Sequence, residues 1–275
     1  MRYTHTYRML LILLLIVVLL LLNLLLGSVS IPAQSIWNIL TGTGNEPVSW
    51  QNIVWKSRLP QALTALAAGA GLAVSGLQMQ TVFRNPLAGP SVLGISSGAS
   101  MGVAFVILLS GSLGGVALSR LGVMGEIALS VAAIIGSLSV MALIVYVSQK
   151  VKGNVTLLII GVMIGYVSNA VIGVLKFFSV EEDIRAYVIW GLGSFSRVSG
   201  NQMMLFVTLM AISLPLSFLL IKTLNLMLLG DGYARNLGLN IKRARLLVIV
   251  SAGVLTAIVT AYCGPIIFLG LAVPH

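Results

Sequence analysis

Apolar runs long enough to cross a lipid bilayer recur along the sequence, and they constrain the fold more than any other feature. The first run, Met9–Leu26, has no charged side chain. Only 8% of the 275 residues are charged, whereas soluble domains carry about 25%. A bilayer core needs about 20 apolar residues per helix, so the chain has room for roughly seven or eight spans. The sequence therefore predicts an all-α, polytopic membrane helix bundle.

The span boundaries follow from where the apolar runs begin and end. A secretory signal peptide is the alternative for the first run, but its usual apolar core of about 7–15 residues is shorter. We therefore predict a retained first span, followed by a polar, loop-like stretch over residues 27–58. The predicted spans are Met9–Leu26, Leu59–Phe83, Val92–Leu109, Val123–Ser148, Val155–Phe178, Gln202–Ile221 and Leu246–Tyr262.

Basic residues set the predicted orientation. The chain carries sixteen Lys and Arg against six acids, a formal net charge of +10. In a membrane protein such an excess marks cytoplasmic loops, so we predict the lipid bilayer and no nucleic acid as its surroundings. With the N-terminus inside, the larger group of basic residues is cytoplasmic: Arg2, Arg8, Arg84, Lys150, Lys152, Lys222, Arg235, Lys242, Arg243 and Arg245.

The segment "RNPLAGPSVLGISSGAS", from Arg84 to Ser100, interrupts the helices between the second and third spans. Pro86 and Pro90 cannot continue a helix interior. Non-helical backbone at membrane depth must be buried in protein or line water. A re-entrant turn, a tight cytoplasmic hairpin and an ordinary proline loop all fit this pattern.

A weak internal repeat relates the second and seventh spans. The second begins "SRLPQALTALAAGAGLAVSG" and leads to "GPSVLG", and the seventh begins "KRARLLVIVSAGVLTAIVTA" and leads to "GPIIFLG". In the predicted orientation, the second span starts outside and the seventh starts inside. This is the arrangement of an inverted repeat, which is common among transporters.

Four motifs occur in order along the chain: Arg58–Ser100, "VIWGLGSF" (Val188–Phe195), "LNLMLLGDGYARNLGLN" (Leu224–Asn240) and "GPIIFLGLAVPH" (Gly264–His275). Together, and in this order, they resemble the FecCD-type permeases, the membrane subunits of ABC importers for iron–siderophores, haem and vitamin B12. The resemblance implies that residues 1–275 form one multi-pass permease domain of the inner membrane. It implies ten spans in all, so we expect the chain to lack its C-terminal part. It also implies a second permease copy, with a homodimer expected.

ATP hydrolysis is assigned to a partner, because the sequence has no phosphate-cradling G-x-x-x-x-G-K-[ST] loop. The chain is therefore not predicted to be an enzyme. In the family, the segment matching Leu224–Asn240 is the coupling helix pair that meets the cytoplasmic ABC ATPase subunits. Here we predict that Asp231 caps a short helix and Gly238 ends it; the alternative is a loop lying on lipid headgroups. The predicted coupling residues are Leu228, Leu229, Gly230, Asp231, Ala234, Arg235, Leu237 and Gly238.

Lys56 and Arg58 lie at the predicted outer mouth of the second span. In similar permeases, basic residues at this position pair with acids on the periplasmic substrate-binding protein. Both are therefore docking candidates, and the alternative is that they anchor the span at the membrane interface.

The second, third and fifth spans are predicted to build the translocation path together with the C-terminal spans that the chain is expected to lack. The resemblance implies that the fifth span and the segment after it act as an outer gate. The sequence shows no metal-ligand cluster, catalytic pair or cofactor motif. The predicted path and gate residues are Arg84, Asn85, Pro86, Gly94, Ser97, Gly98, Gly165, Ser168, Asn169 and Gly173.

Two other classes of membrane protein fit the sequence less well. A secondary transporter driven by an ion gradient usually keeps ionisable residues within its spans. Here only Lys176 and Glu126 are candidates, and both lie near predicted span ends. An intramembrane enzyme needs a nucleophile and a base, and no such arrangement is visible. The motifs do not distinguish a siderophore from haem or cobalamin as cargo.

Overall fold

A computed structural model describes residues 2–112, 123–151, 153–198 and 200–274. Lys152, one of the predicted cytoplasmic residues, and His275 lie outside the described residues. Within the described ranges, the regular structure is helical. The α-helices are α1 Arg2–Leu25, α2 Ala33–Thr41, α3 Val48–Ile53, α4 Leu59–Phe83, α5 Ile95–Ser112, α6 Val123–Lys150, α7 Asn154–Phe177, α8 Glu181–Gly191, α9 Gly200–Phe218, α10 Ile221–Leu228, α11 Asp231–Asn236, α12 Ile241–Cys263 and α13 Leu269–Ala272.

The long helices agree with the predicted polytopic bundle. Five described helical segments are long and apolar enough to cross a membrane, and a sixth is added if α9 and α10, bent by 46°, form one span. The apolar part of α5, Ile95–Leu109, is shorter. Helix α4 has the predicted bounds, whereas α12 begins at Ile241, before the predicted start of its span. The basic turn "KRAR" is therefore part of the helix, although its charges placed it outside the predicted apolar span.

The chain divides into two compact units. The first contains the residues up to Leu66 together with Phe195–Met203, and the second contains Ala67–Ser194 and the residues from Met204 onward. In the first unit, α1 is apolar on all sides and almost entirely exposed within the structure. This exposure suits a helix whose side chains face lipid.

The predicted loop over residues 27–58 was wrong, because it contains α2, α3 and a π-helical turn, Val54–Arg58. Helix α2 follows Pro32 and ends at Gly42, whose φ of 70° is the left-handed conformation that glycine adopts readily. A small apolar cluster of Ile31, Ile36, Ile39 and Val54 holds these elements together. Their helical pattern was hidden because few apolar residues lie among many polar ones.

Helices α5 and α6 of the second unit pack with their backbones in close contact. A Cβ atom added to Gly102 would lie 2.2 Å from the carbonyl oxygen of Ala132, and one added to Gly136 would lie 2.1 Å from that of Gly98. Small residues allow such close packing of membrane helices. By contrast, Gly69 has nothing within 4 Å of its added Cβ, so it makes no close approach to another helix in this unit.

Helix α12 is the most buried of the candidate spans. Polar side chains connect it to α4: the hydroxyls of Ser75 and Thr256 are 2.8 Å apart, and Gln78 donates to Ser251 at 3.1 Å. Buried polar groups pair in this way because an unpaired group in an apolar interior costs about 1–3 kcal/mol. These bonds therefore fix the rotation of α12 against α4.

The two Gly-Pro segments meet beside α4. A Cβ atom on Gly270 would lie 2.8 Å from Cγ of Pro90, and one on Gly76 would lie 1.7 Å from the carbonyl oxygen of Gly270. Only glycines fit at these contacts without a shift of the backbone. The segments "GPSVLG" and "GPIIFLG" are therefore neighbours in space, while the inverted relation between their helices stays a prediction.

Candidate functional site

Helices α10 and α11 form an elbow within the predicted coupling segment. Gly230 joins them with a φ of 103°, which favours glycine. Asp231 is the first residue of α11 and makes no capping hydrogen bond, so the prediction that it caps the helix was wrong. Instead, its carboxylate lies 2.5 Å from Nη2 of Arg84 and 3.8 Å from Nη2 of Arg245.

Arg84 connects the elbow to the end of α4. It follows the last residue of α4 with a φ of 47°, a left-handed conformation that is uncommon outside glycine. Its Nη2 also donates to the carbonyl oxygen of Met227 at 3.3 Å, near the end of α10. One guanidinium thus contacts both arms of the elbow. The sequence placed Arg84 in the translocation path, but its described partners belong to the coupling segment.

The next two residues of the break form a turn. The side-chain Oδ1 of Asn85 accepts a hydrogen bond from the backbone N–H of Leu87 at 2.9 Å, as expected of an Asx turn. Pro86 is exposed. A short 3₁₀ turn, Pro90–Leu93, then leads into α5.

Apolar side chains project from both arms of the elbow. Leu228 and Leu229 are 64% and 59% exposed, and Tyr233 and Leu237 of the second arm are 72% and 63% exposed. Ala234, next to Tyr233 in α11, is buried. We call the four exposed residues the coupling face. Large apolar side chains exposed together are typical of a surface that contacts another protein or a membrane.

The end of α11 has the geometry that the sequence predicts for Gly238. The backbone N–H of Gly238 donates to Arg235 and that of Leu239 donates to Ala234. These two bonds form a Schellman motif, in which the residue after the helix is left-handed. Gly238 accordingly has a φ of 86°. This turn fixes where Leu237 projects.

A cavity of about 650 Å³ lies beside the elbow, between the end of α6 and the start of α12. We call it the basic cavity. Its walls combine four basic side chains with one acid and several apolar residues. They are Ser148, Gln149, Val151, Asp231, Arg235, Ile241, Lys242, Arg243, Arg245, Leu246 and Leu247. Arg235 was predicted as a coupling residue, while the sequence marked Lys242, Arg243 and Arg245 only as cytoplasmic charges.

Some of the predicted path residues lie at helix contacts or are buried, and the others are exposed. A Cβ on Gly94 would lie 3.0 Å from the carbonyl oxygen of Gly161, and one on Gly165 would lie 3.5 Å from Oγ of Ser97. The start of α5 and the middle of α7 are therefore in contact through these residues, and Gly98 packs on α6. Ser168 is buried, whereas Asn169 and Gly173 are exposed on α7.

Helix α8, in the predicted gate segment, contains a buried acid. Asp183 is 6% exposed, and its Oδ2 has no hydrogen-bond partner among the described residues. Burial raises the pKa of Asp183 above its ordinary value, and the charge of Glu182 adds to the rise. The folded protein binds this proton more tightly than the unfolded chain does, so ionisation of Asp183 lowers the free energy of unfolding. This loss begins at about pH 4, the ordinary pKa of an aspartate, and is complete once the pH exceeds the folded pKa.

We expect Asp183→Asn to reduce this loss of stability at neutral pH. The measurement is the melting temperature of the purified protein in detergent as a function of pH. Wild-type protein should lose stability as the carboxyl ionises, and the variant should lose less over the same range. Glu181→Gln, an exposed acid in the same helical turn, is the matched control. Identical pH profiles for wild type and Asp183→Asn would contradict the assignment.

The two docking candidates of the first unit have different environments. Lys56 is exposed, whereas Arg58 is 5% exposed. The Arg58 guanidinium donates to the carbonyl oxygens of Leu24 at 2.7 Å and Leu25 at 3.1 Å, and also to that of Val29. Arg58 therefore holds the C-terminal end of α1 and offers no free charge to a docking partner, contrary to the prediction.

Sequence reasoning missed the roles of Arg245 and Gly270. Arg245 approaches Asp231, and Gly270 packs on α4. The basic run "KRAR" before a buried span indicated that Arg245 could have a role, but nothing in the run identifies Asp231 as its partner. Among the described residues, no group of three or more His, Cys, Asp and Glu could hold a metal ion.

Comparison with known proteins identifies the chain. The FecCD transport family matches residues 14–275. The chain belongs to this family. Members are permeases, the membrane subunits of ABC importers, and not themselves enzymes. Like its relatives, this FecCD permease is a multi-pass protein of the inner membrane.

Individual relatives cover most of the chain. It is 35% identical over 251 residues to the hemin transport system permease protein HmuU of Yersinia pestis, covering 91% of this chain and 72% of that protein. It is 34% identical over 260 residues to the vitamin B12 import system permease protein BtuC of Serratia proteamaculans, covering 92% and 74%. A solved metal-chelate type ABC transporter in an inward-facing conformation matches with a TM-score of 0.79 and 30% identity, over 95% of this chain and 77% of that one.

Proposed function

We propose that this FecCD permease moves a metal chelate of the iron–siderophore, haem or cobalamin type into the cytoplasm. Residues 1–275 act as one permease domain, with Leu224–Asn240 as its cytoplasmic coupling segment. A second copy of the chain completes the path. The chelate class is supported by the relatives named for hemin and vitamin B12 transport.

The coupling face carries the proposal. Its four exposed apolar side chains lie on an elbow that Arg84 and Asp231 tie to the end of α4. A cytoplasmic ABC ATPase that docks on this face would move α4 through that link. The two ionisable residues that the sequence offered as candidates for an ion-coupled site, Glu126 and Lys176, lie in terminal helical turns. This placement favours an ATP-driven importer over a secondary transporter, which needs such groups within its spans.

Leu229→Asp tests the coupling face. We expect it to weaken binding of the ATPase subunit by at least about tenfold, because a buried apolar contact is replaced by a desolvated charge. The measurement is co-purification of the ATPase together with chelate uptake in proteoliposomes. Val48→Asp is the control and should leave both unchanged, because Val48 is an exposed apolar residue of the first unit, outside the coupling segment. Normal ATPase binding by Leu229→Asp would remove this residue from the interface.

Lys56 remains the candidate for docking the periplasmic binding protein. We expect Lys56→Glu to slow association of the binding protein at low salt, with the difference shrinking at high salt, since a rim charge mainly steers encounter. Surface plasmon resonance at two salt concentrations measures this. Arg185→Glu, another exposed base, serves as the comparison. Equal association rates for Lys56→Glu and wild type at low salt would exclude Lys56 from the docking surface.

A further inference from the structure

The basic cavity lies where the ends of two membrane spans meet the aqueous phase. Ser148 and Gln149 belong to the last turn of α6, and Lys242 and Arg243 belong to the first turn of α12. Lipid phosphates lie at this depth, because the headgroup region begins where the apolar part of a span ends. Leu246 and Leu247 extend the cavity wall about one helical turn further along α12.

The charge of the cavity is strongly one-sided. Its single acid, Asp231, is occupied by Arg84 at 2.5 Å and by Arg245 at 3.8 Å. Arg235, Lys242 and Arg243 have no acidic partner within 4 Å among the described residues, and all three are exposed. The N-terminal end of α12 adds a partial positive charge from the helix dipole.

Arg245 supplies a donor that the described residues leave unused. Its side chain is only 17% exposed, and its Nε atom is buried without a hydrogen-bond partner. A buried N–H group of a charged side chain is costly unless an acceptor reaches it. The wall of the cavity therefore combines the partly buried Arg245 guanidinium with three exposed cations.

We propose that the basic cavity binds the phosphate of an anionic membrane lipid. The phosphate accepts hydrogen bonds from Arg245 and lies among Lys242, Arg243 and Arg235. The acyl chains pass along the apolar wall formed by Leu246 and Leu247. Basic pockets between the cytoplasmic ends of membrane helices are suited to anionic headgroups. A free phosphate ion would satisfy the same donors but would leave the leucines uncovered.

The test compares lipids that differ only in headgroup. The purified chain of residues 1–275, in a neutral sugar detergent, is titrated with phosphatidylglycerol or phosphatidylcholine of identical acyl chains, and bound lipid is counted by native mass spectrometry. Inorganic phosphate is added as a competitor. The test variant is Lys242→Gln with Arg243→Gln. The control is Arg8→Gln with Lys222→Gln, which removes two exposed charges outside the cavity.

We expect wild type and control to prefer phosphatidylglycerol, and the test variant to bind it roughly 30-fold more weakly, since each base near a membrane surface contributes about 1 kcal/mol. Arg245→Lys, which keeps the charge but lacks Nε, should also bind less. Equal losses in test and control variants, or no headgroup preference in wild type, would overturn the proposal. Displacement of the lipid by inorganic phosphate would assign the cavity to a soluble anion instead.

Loss of ATPase binding without loss of lipid binding would also overturn the lipid proposal. If the test variant retains phosphatidylglycerol but no longer binds the ATPase subunit, the cavity is part of the protein interface. Because lipid binding is measured on the chain alone, the outcome is independent of the cargo and of the coupling face.

Discussion

Replacing Arg58 by leucine is expected to destabilise the first unit severely. The guanidinium of Arg58 is buried and bonds three carbonyl oxygens at and beyond the end of α1, those of Leu24, Leu25 and Val29. The last carbonyls of a helix have no intrahelical partner, and a cation there also offsets the helix dipole. Leucine would leave all three oxygens unpaired in a buried site, at a cost on the order of 3 kcal/mol or more.

The measurement is the melting temperature and the monodisperse fraction of the purified protein in detergent. We expect Arg58→Leu to aggregate or to melt well below wild type, and Arg58→Lys to fall between them, because an ammonium group cannot fork across several oxygens. Lys56→Leu removes a neighbouring exposed charge and should change neither quantity. Wild-type stability in Arg58→Leu would mean that the guanidinium does not hold the end of α1.

Reversing either charge of the Arg84–Asp231 pair is expected to uncouple ATP hydrolysis from transport. Both side chains are nearly half exposed, and such pairs contribute only about 0.2–1 kcal/mol to stability. Folding should therefore survive. Reversing one charge replaces this attraction by a repulsion of about the same size, so Arg84→Asp or Asp231→Arg should separate the elbow from the end of α4. We expect chelate uptake per ATP hydrolysed to fall about fivefold, the equivalent of about 1 kcal/mol.

The double variant Arg84→Asp with Asp231→Arg provides the internal control. It restores opposite charges across the same contact and should recover part of the coupling. Recovery is expected to be incomplete, because Asp231→Arg also places a base beside Arg245. If the single variants transport normally, or the double variant is as poor as the worse single variant, the pair is not the link between the elbow and α4.

The spans could be predicted from sequence because lipid imposes a length and an apolar composition on each of them. Helix α4 has the predicted bounds for this reason. Helices α2 and α3 could not be predicted in this way, because no constraint on length or apolar composition acts on a short helix in a polar stretch. The first boundary between the two compact units could not be predicted either, because it falls between Leu66 and Ala67, inside the continuous helix α4.

The candidate site was predicted in its residue types but not in its pairings. Arg84 and Asp231 are separated by 147 positions, and their charges alone do not show that they meet. Arg84 was therefore assigned to the path and Asp231 to the coupling segment. Similarly, a basic side chain before a span predicts an interfacial charge, whereas burial of Arg58 depends on where α1 ends. Gly238 at the end of α11 was interpreted correctly because a Schellman turn involves neighbouring residues only, whereas the cap predicted for Asp231 failed because its carboxylate bonds the distant Arg84.

Uptake of a haem, siderophore or cobalamin chelate into proteoliposomes tests the central claim most directly. The vesicles contain this permease with its ATPase, and ionophores collapse all ion gradients. ATP hydrolysis alone should then drive uptake in wild type, and Leu229→Asp should abolish it while Val48→Asp does not. Uptake that persists without the ATPase and stops when the gradients collapse would contradict the account.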